Sequence, residues 1–251
     1  MPTRSHYGTG VRIGSVVAGA HAAYGYPENH EWRQPMECKG ATVRKRILSS
    51  IITASALVLS ASVASAAGPS ETEDVIGQGL AGPIVAPGGA SILRTPNSVV
   101  AKLVMPTPVP GSYAYPIGPT GSGVAGHPEA FSLWVFIFYN PEECAAALCG
   151  PADLMNDPDV IAGAHNAGGH LAGGPQLTLA GSVNRQSFTF GGPNAETLGE
   201  ALSMGYDLAD AEIHLAVAPH GALDPALLPG QITTPVGNPG FWWLSIFMPV
   251  S

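Results

Sequence analysis

Residues Phe131 to Tyr139 (FSLWVFIFY) form a nearly unbroken run of large apolar side chains with one serine among them. An extended chain sends alternate side chains to opposite faces, so a strand of this composition has no face fit for water. The run is therefore read as the central strand of a sheet that is covered on both sides, and the rest of the chain must supply the cover.

The 251 residues include 32 Gly and 24 Pro, and only 11% are charged. That balance favours short strands joined by turns over long helices. Ser98 to Met105, Gln176 to Val183, Gln186 to Phe190, Ala211 to Ala218 and Phe241 to Met248 read as further strands, from their alternation or their Val and aromatic content. Three short helices are expected as well. One starts at Asn140-Pro141-Glu142-Glu143 and closes near Gly150, one runs from Asp157-Pro158-Asp159 toward His165 before Gly168-Gly169 break it, and one covers Asn194 to Met204. Gly68 to Pro96 lacks periodicity and reads as a flexible lead-in or an edge segment. The expectation is a mainly β fold, a β-sandwich or small β-barrel with short helical insertions, forming a single domain over residues 98–251.

Ahead of it, residues 36–66 have the three parts of a secretory signal peptide in order. Arg44, Lys45 and Arg46 give the charge, Ile47 to Val63 the apolar run and Ala64-Ser65-Ala66 the small-residue cleavage site. The apolar run is shorter than a membrane span and carries several Ser and Thr, so no stable span is expected after cleavage. The first 35 residues fit neither a leader nor a fold, and Met36 reads as the true start.

Residues 67–251 hold three Lys or Arg (Arg94, Lys102 and Arg185) against fifteen Asp or Glu, a formal charge of −12. Nucleic acid is bound through clusters of basic side chains, and none is present, so nucleic acid is not expected as a partner. Cys38 falls in the leader, which leaves Cys144 and Cys149. In an exported chain a disulfide between them is the economical reading, and it requires any helix to end before Cys149, because residues five apart point about 140° apart around a helix. A Cys-x4-Cys metal site is the alternative, although two thiolates alone make an incomplete ligand set.

No Gly-x-Ser-x-Gly elbow, phosphate loop, dinucleotide fingerprint or His-Glu-x-x-His occurs, and Gly121-Ser122-Gly123 lacks the Lys-Ser and helix that a phosphate loop needs. What remains is a set of polar residues in apolar surroundings. Along Ala211 to Ala218, Glu212 and His214 share one strand face. His220 follows at the strand end, and His165 and His170 flank the glycine pair. His170, Glu212, His214 and His220 are the candidate ligands for Zn or another divalent metal. Glu212, His214 and His220 are also the candidate catalytic groups, with a histidine as general base and Glu212 orienting it. The bland reading is a hydrogen-bonded or solvated cluster. Trp134 and Trp243 are candidate stacking surfaces for a flat ligand, although Trp242 and Trp243 must face opposite ways and core packing accounts for Trp134 and one of that pair.

Taken together, Leu133-Trp134-Val135-Phe136, Asn140-Pro141-Glu142-Glu143-Cys144, Cys149-Gly150, Asp153-Leu154, Gly169-His170, Ala211-Glu212-Ile213-His214-Leu215 and His220-Gly221 resemble a group of secreted bacterial proteins with no assigned activity. The likeness spans about Val99 to Ile232. It implies secretion, and the cysteine pair belongs to its pattern, which supports the disulfide. This chain departs from it by the Gly-rich insert before Phe131 and by Ala218-Pro219, where the resemblance leads one to expect a basic residue. A role for an arginine there would be lost.

The functional expectation is a secreted β-rich binding protein whose site lies around His170, Glu212, His214 and His220. The alternatives are a secreted enzyme using the same groups, with or without a metal, and a structural envelope or surface protein. Mass spectrometry of protein recovered from the culture medium is expected to find an N-terminus within a few residues of Ala67. Exported protein that begins at Met1 or Met36 would exclude the leader.

Overall fold

The computed structural model describes residues 69–115, 124, 126–235, 237 and 239–250. The leader and most of the Ile117 to His127 loop lie outside the described residues. The strands are β1 (Glu71–Ile76), β2 (Ile84–Thr95), β3 (Ser98–Pro106), β4 (Glu129–Phe138), β5 (Ala162–Leu171), β6 (Gln176–Asn184), β7 (Thr189–Phe190), β8 (Glu212–Ala222) and β9 (Trp243–Phe247). Among the described residues, three short α-helices accompany them, α1 (Pro151–Asn156), α2 (Leu198–Ser203) and α3 (Gly230–Thr233).

The nine strands form one antiparallel sheet in the order β6-β3-β2-β1-β9-β8-β4-β5-β7. The sheet curls into a half-barrel, so that β5 and β6, far apart in that order, lie against each other with no ladder between them among the described residues. Small side chains permit the approach: a Cβ added at Gly181 would run into the Ala167 carbonyl oxygen. The fold is thus mainly β, as the sequence led us to expect, and the curl rather than a second sheet encloses the core.

β4 is buried on both faces, as is its neighbour β8 through Gly221. Phe131, Leu133, Val135 and Ile137 point into the half-barrel, where they meet Ile213, Leu215 and Val217 of β8, Val99, Ala101 and Leu103 of β3, and Trp243 and Phe247 of β9. Trp134, Phe136 and Phe138 point outward into a second cluster with Ala216, Ala218, Cys149, Leu154, Val160 and Trp242. The chain between β4 and β5 supplies that outer cover. Burial of each large side chain contributes about 1.5–3 kcal/mol, so the outer cluster is a strong reason for this chain segment to fold back.

Three expectations from sequence need correction. Gly68 to Pro96 is not a flexible lead-in, because it carries β1 and the long β2 in the middle of the sheet, and the β-rich unit therefore begins ahead of residue 98. Its glycines shape a bulged hairpin: Gly88 has φ +60°, and its N–H donates to Asp74 Oδ1 at 2.7 Å. The helix expected after Asn140 is only a 3-10 turn, Pro141–Glu143, and Asn140 does not cap it. Its side chain instead accepts from Ile161 N–H at 2.7 Å and donates to Asp159 O at 2.9 Å, stitching the two ends of the insert together. The segment from Asp157 to His165 is not a helix, because tertiary pairing with β4 draws it into β5 and the helix forms earlier, at α1. Asn194 to Met204 does contain α2, started by a Thr197–Glu200 capping box.

Arg94 closes one end of the half-barrel. It is buried, and its guanidinium grips both oxygens of Glu71 at 2.8 and 3.0 Å. It also donates to the carbonyls of Leu208 (2.5 Å), Ala211 (2.7 Å) and Met248 (2.8 Å). One side chain of β2 so ties β1, the lead-in to β8 and the exit from β9. Arg94→Ala would leave these acceptors without their donor and is expected to lower the unfolding free energy by about 3 kcal/mol in urea denaturation. Arg94→Lys is expected to recover less than half of the loss, because an ammonium cannot reproduce the planar fork.

Candidate functional site

Glu212 and His214 face outward from β8, as strand parity requires, opposite Phe138 and Phe136 of β4. The outer cover buries them almost completely, at 1% and 3% exposure. A carboxylate in such a place needs partners, since its desolvation is otherwise costly. Glu212 Oε1 accepts the Cys149 backbone N–H at 2.9 Å and the His214 Nε2–H at 2.6 Å. The His214 ring also packs on Phe138, with ring centroids 5.2 Å apart.

Cys149 belongs to a short loop closed by the Cys144–Cys149 disulfide, with Cα atoms 5.3 Å apart. Asp153 of α1 holds the loop as well, accepting from Gly150 N–H at 2.6 Å and Ala145 N–H at 3.0 Å. The loop forms one wall of a groove of about 450 Å³ whose other boundary is Met248 and Pro249. Glu212 lies at its floor, and Glu142, Cys144 and Ala145 to Ala147 line its side. Among the described residues, both hydrogen bonds of this carboxylate go to Oε1 and none to Oε2.

The four residues proposed from sequence do not converge. His214 and His220 are six residues apart on one strand, about 20 Å at the rise of a β-strand. His220 sits in a β-bulge between Pro219 and Gly221, and its Nε2 lies 2.7 Å from Ser132 Oγ. Trp134 Nε1–H donates to the same hydroxyl at 2.8 Å, and Gln231 of α3 donates to His220 O at 3.3 Å. Ser132, Trp134 and His220 have no exposed surface, so this is a sealed polar knot beneath α3. His170 is exposed and pairs with inward-facing Phe131, which puts it on the opposite face of the sheet from Glu212 and His214. Among the described residues no group of three or more His, Cys, Asp or Glu is placed to hold a metal ion. The shared four-residue site thus reduces to Glu212 with His214.

Trp134, Trp242 and Trp243 are all buried, the last two on opposite faces as predicted. Trp243 stacks edge-on against Tyr113 and Phe131 in the core, so neither Trp134 nor Trp243 offers a surface to a flat ligand. No single sequence motif marks the groove. Its signals were the Cys pair beside an acidic turn, whose proximity to Glu212 depends on long-range packing. No helix among the described residues is long and apolar enough to cross a membrane. Comparison with known protein families, with curated proteins and with solved structures finds no match to this chain.

His165 lies inside the half-barrel, opposite Val135, and is fully buried. Burial pushes its imidazole down to about 4, and the nearby backbone of Phe188 and Ser187 opposes that effect only in part. Neither ring nitrogen makes a hydrogen bond of ordinary geometry. As pH falls, the unfolded chain takes up this proton first, so His165 favours folding fully above its ordinary value and progressively less down to the folded one. Unfolding free energy is expected to fall by roughly 3 kcal/mol through this group between about pH 6.5 and 4. Denaturation of a His165→Leu variant across that range should show a correspondingly flatter pH dependence, whatever its stability at neutral pH.

Proposed function

We propose that the protein is exported and acts by binding a small molecule with a positively charged or hydrogen-bond-donating head, seated in the groove over Glu212. The observation that carries this reading is the buried carboxylate itself: Oε1 is held by Cys149 N–H and His214, while Oε2 has no hydrogen bond among the described residues and the residue lines an open groove. A preorganised acceptor of this kind meets a donor without having to be reoriented first. The acidic balance of residues 67–251 favours cations over anions near the groove. Pro141, Ala145 to Ala147, Met248 and Pro249 offer apolar contact to a short hydrocarbon body. The leader-like segment and the disulfide support export.

The enzyme reading draws support from the same pair, in which His214 and Glu212 have the spacing of a base and its orienter. His214 does not line the groove, however, so the proton acceptor facing a bound molecule there is Glu212. His220 is sealed with Ser132 away from the groove, which leaves binding as the better-supported reading.

The test uses n-butylammonium chloride, followed by amide chemical shifts in an ¹⁵N-labelled protein. Shifts are expected at Ala145 to Ala147 and Met248, with far smaller ones for uncharged 1-butanol and a loss of the ammonium effect in Glu212→Gln. An absence of shifts in the native protein, or equal shifts in Glu212→Gln, would overturn the proposal and leave the structural reading.

A further inference from the structure

The disulfide stands in an unusual relation to the groove. Cys144 lines it, and Cys149, five residues on, gives its backbone N–H to the carboxylate at its floor. The Cys149 side chain is fully buried in the outer cluster with Phe136 and Phe138, whereas the intervening loop residues Ala145 to Leu148 are exposed. The covalent bond therefore links an anchored end, fixed to the sheet through Glu212, with an exposed wall of the groove. Asp153 also holds the loop, but through Ala145 and Gly150 to α1, which is part of the same cover and not of the sheet.

We propose that the Cys144–Cys149 disulfide is a redox latch on the Glu212–His214 groove, closed when oxidised and opened by a dithiol reductant. The inference rests on the groove being the binding site. One thiolate of the reductant attacks the more accessible sulfur, Cys144 Sγ; the S–S bond breaks and Cys149 leaves as a thiolate, which takes up a proton. The second thiol of the reductant then displaces Cys144 from the mixed disulfide, so the reductant ends as a cyclic disulfide and the protein as two thiols. Two electrons and two protons have moved to the protein. With the crosslink gone, the wall from Cys144 to Leu148 regains the freedom of an open chain, while Cys149 stays anchored by its buried side chain and its bond to Glu212. Solvent then reaches Glu212 and His214 past the opened wall, and the groove loses one of its sides. Reoxidation restores it.

The latch is read by the rate at which diethyl pyrocarbonate acylates each histidine, measured by mass spectrometry. Native oxidised protein, the same protein reduced with dithiothreitol and then freed of it, and a Cys144→Ser/Cys149→Ser variant are compared. His170, exposed, calibrates the reagent, and His165, sealed in the half-barrel, reports whether the fold survives. Reduction is expected to raise the His214 rate by about tenfold or more while His165 stays protected, as a local opening should, with reversal on reoxidation. The double variant should behave as the reduced protein does. An unchanged His214 rate on reduction would overturn the latch, and so would a joint rise at His214 and His165, which would make the bond a support for the whole fold. Because the rate needs no ligand, it judges the latch separately from binding: failure of oxidised protein to bind n-butylammonium would sink the groove reading and leave the measured opening to stand or fall alone.

Discussion

The need to bury both faces of β4 organises this molecule. Its inward row of Phe131, Leu133, Val135 and Ile137 is satisfied when the antiparallel sheet curls on itself, since a flat sheet would leave the row facing solvent. Among the described residues, its outward row of Trp134, Phe136 and Phe138 meets no second sheet. The segment between β4 and β5 covers it instead, with the 3-10 turn, the disulfide loop and α1 laid across the outside. Asn140 and Asp153 hold that cover in shape by bonding to backbone groups on both sides of it.

Covering the outer face buries polar side chains that strand parity put there, and each such group then requires a partner. Glu212 finds His214 and the Cys149 N–H. Ser132 finds Trp134 and His220. Gln231 of α3 bonds to the β8 carbonyls of His220 and Ala222 and accepts from Asp224 N–H. At the barrel end, Arg94 collects Glu71 and backbone carbonyls from otherwise separate segments. With so few charges in the domain, those that are buried act as ties between strands and the loops that follow them. Glu212 differs in also bordering a groove, which is why it and not the Ser132–His220 knot is the candidate for contact with another molecule.

Several elements were legible because their signals are local. The double-sided apolar run of β4, the alternation of β6 and β8, the Val-rich β3 and the capped α2 need only neighbouring residues to be recognised. The placement of Glu212 and His214 on one face follows from parity alone. The segments whose structure departs from their local pattern share a different property, in that distant pairing decides their state. Gly68 to Pro96 has no strong periodicity, and it becomes strand because β3 and β9 offer edges to it. Asp157 to His165 carries a helix-start pattern that loses to a ladder with β4.

By itself the sequence determined that the chain would be mainly β, that β4 would be central, that Glu212 and His214 would be neighbours, and that Cys144 and Cys149 were suited to pair, because each depends on spacing within a few residues. Only the tertiary structure decided that His170, His214 and His220 would lie apart, that Trp134 and Trp243 would both be sealed, and that Cys149 would reach Glu212. Two bulges explain much of this. An extra residue near Ala167 in β5 leaves His170 in register with inward-facing Phe131, and His220 bulges out of β8 toward Ser132. The contact between Cys149 and Glu212 joins residues 63 positions apart. It arises from how the cover settles on the curled sheet, a balance of packing over the whole outer face that no local pattern encodes.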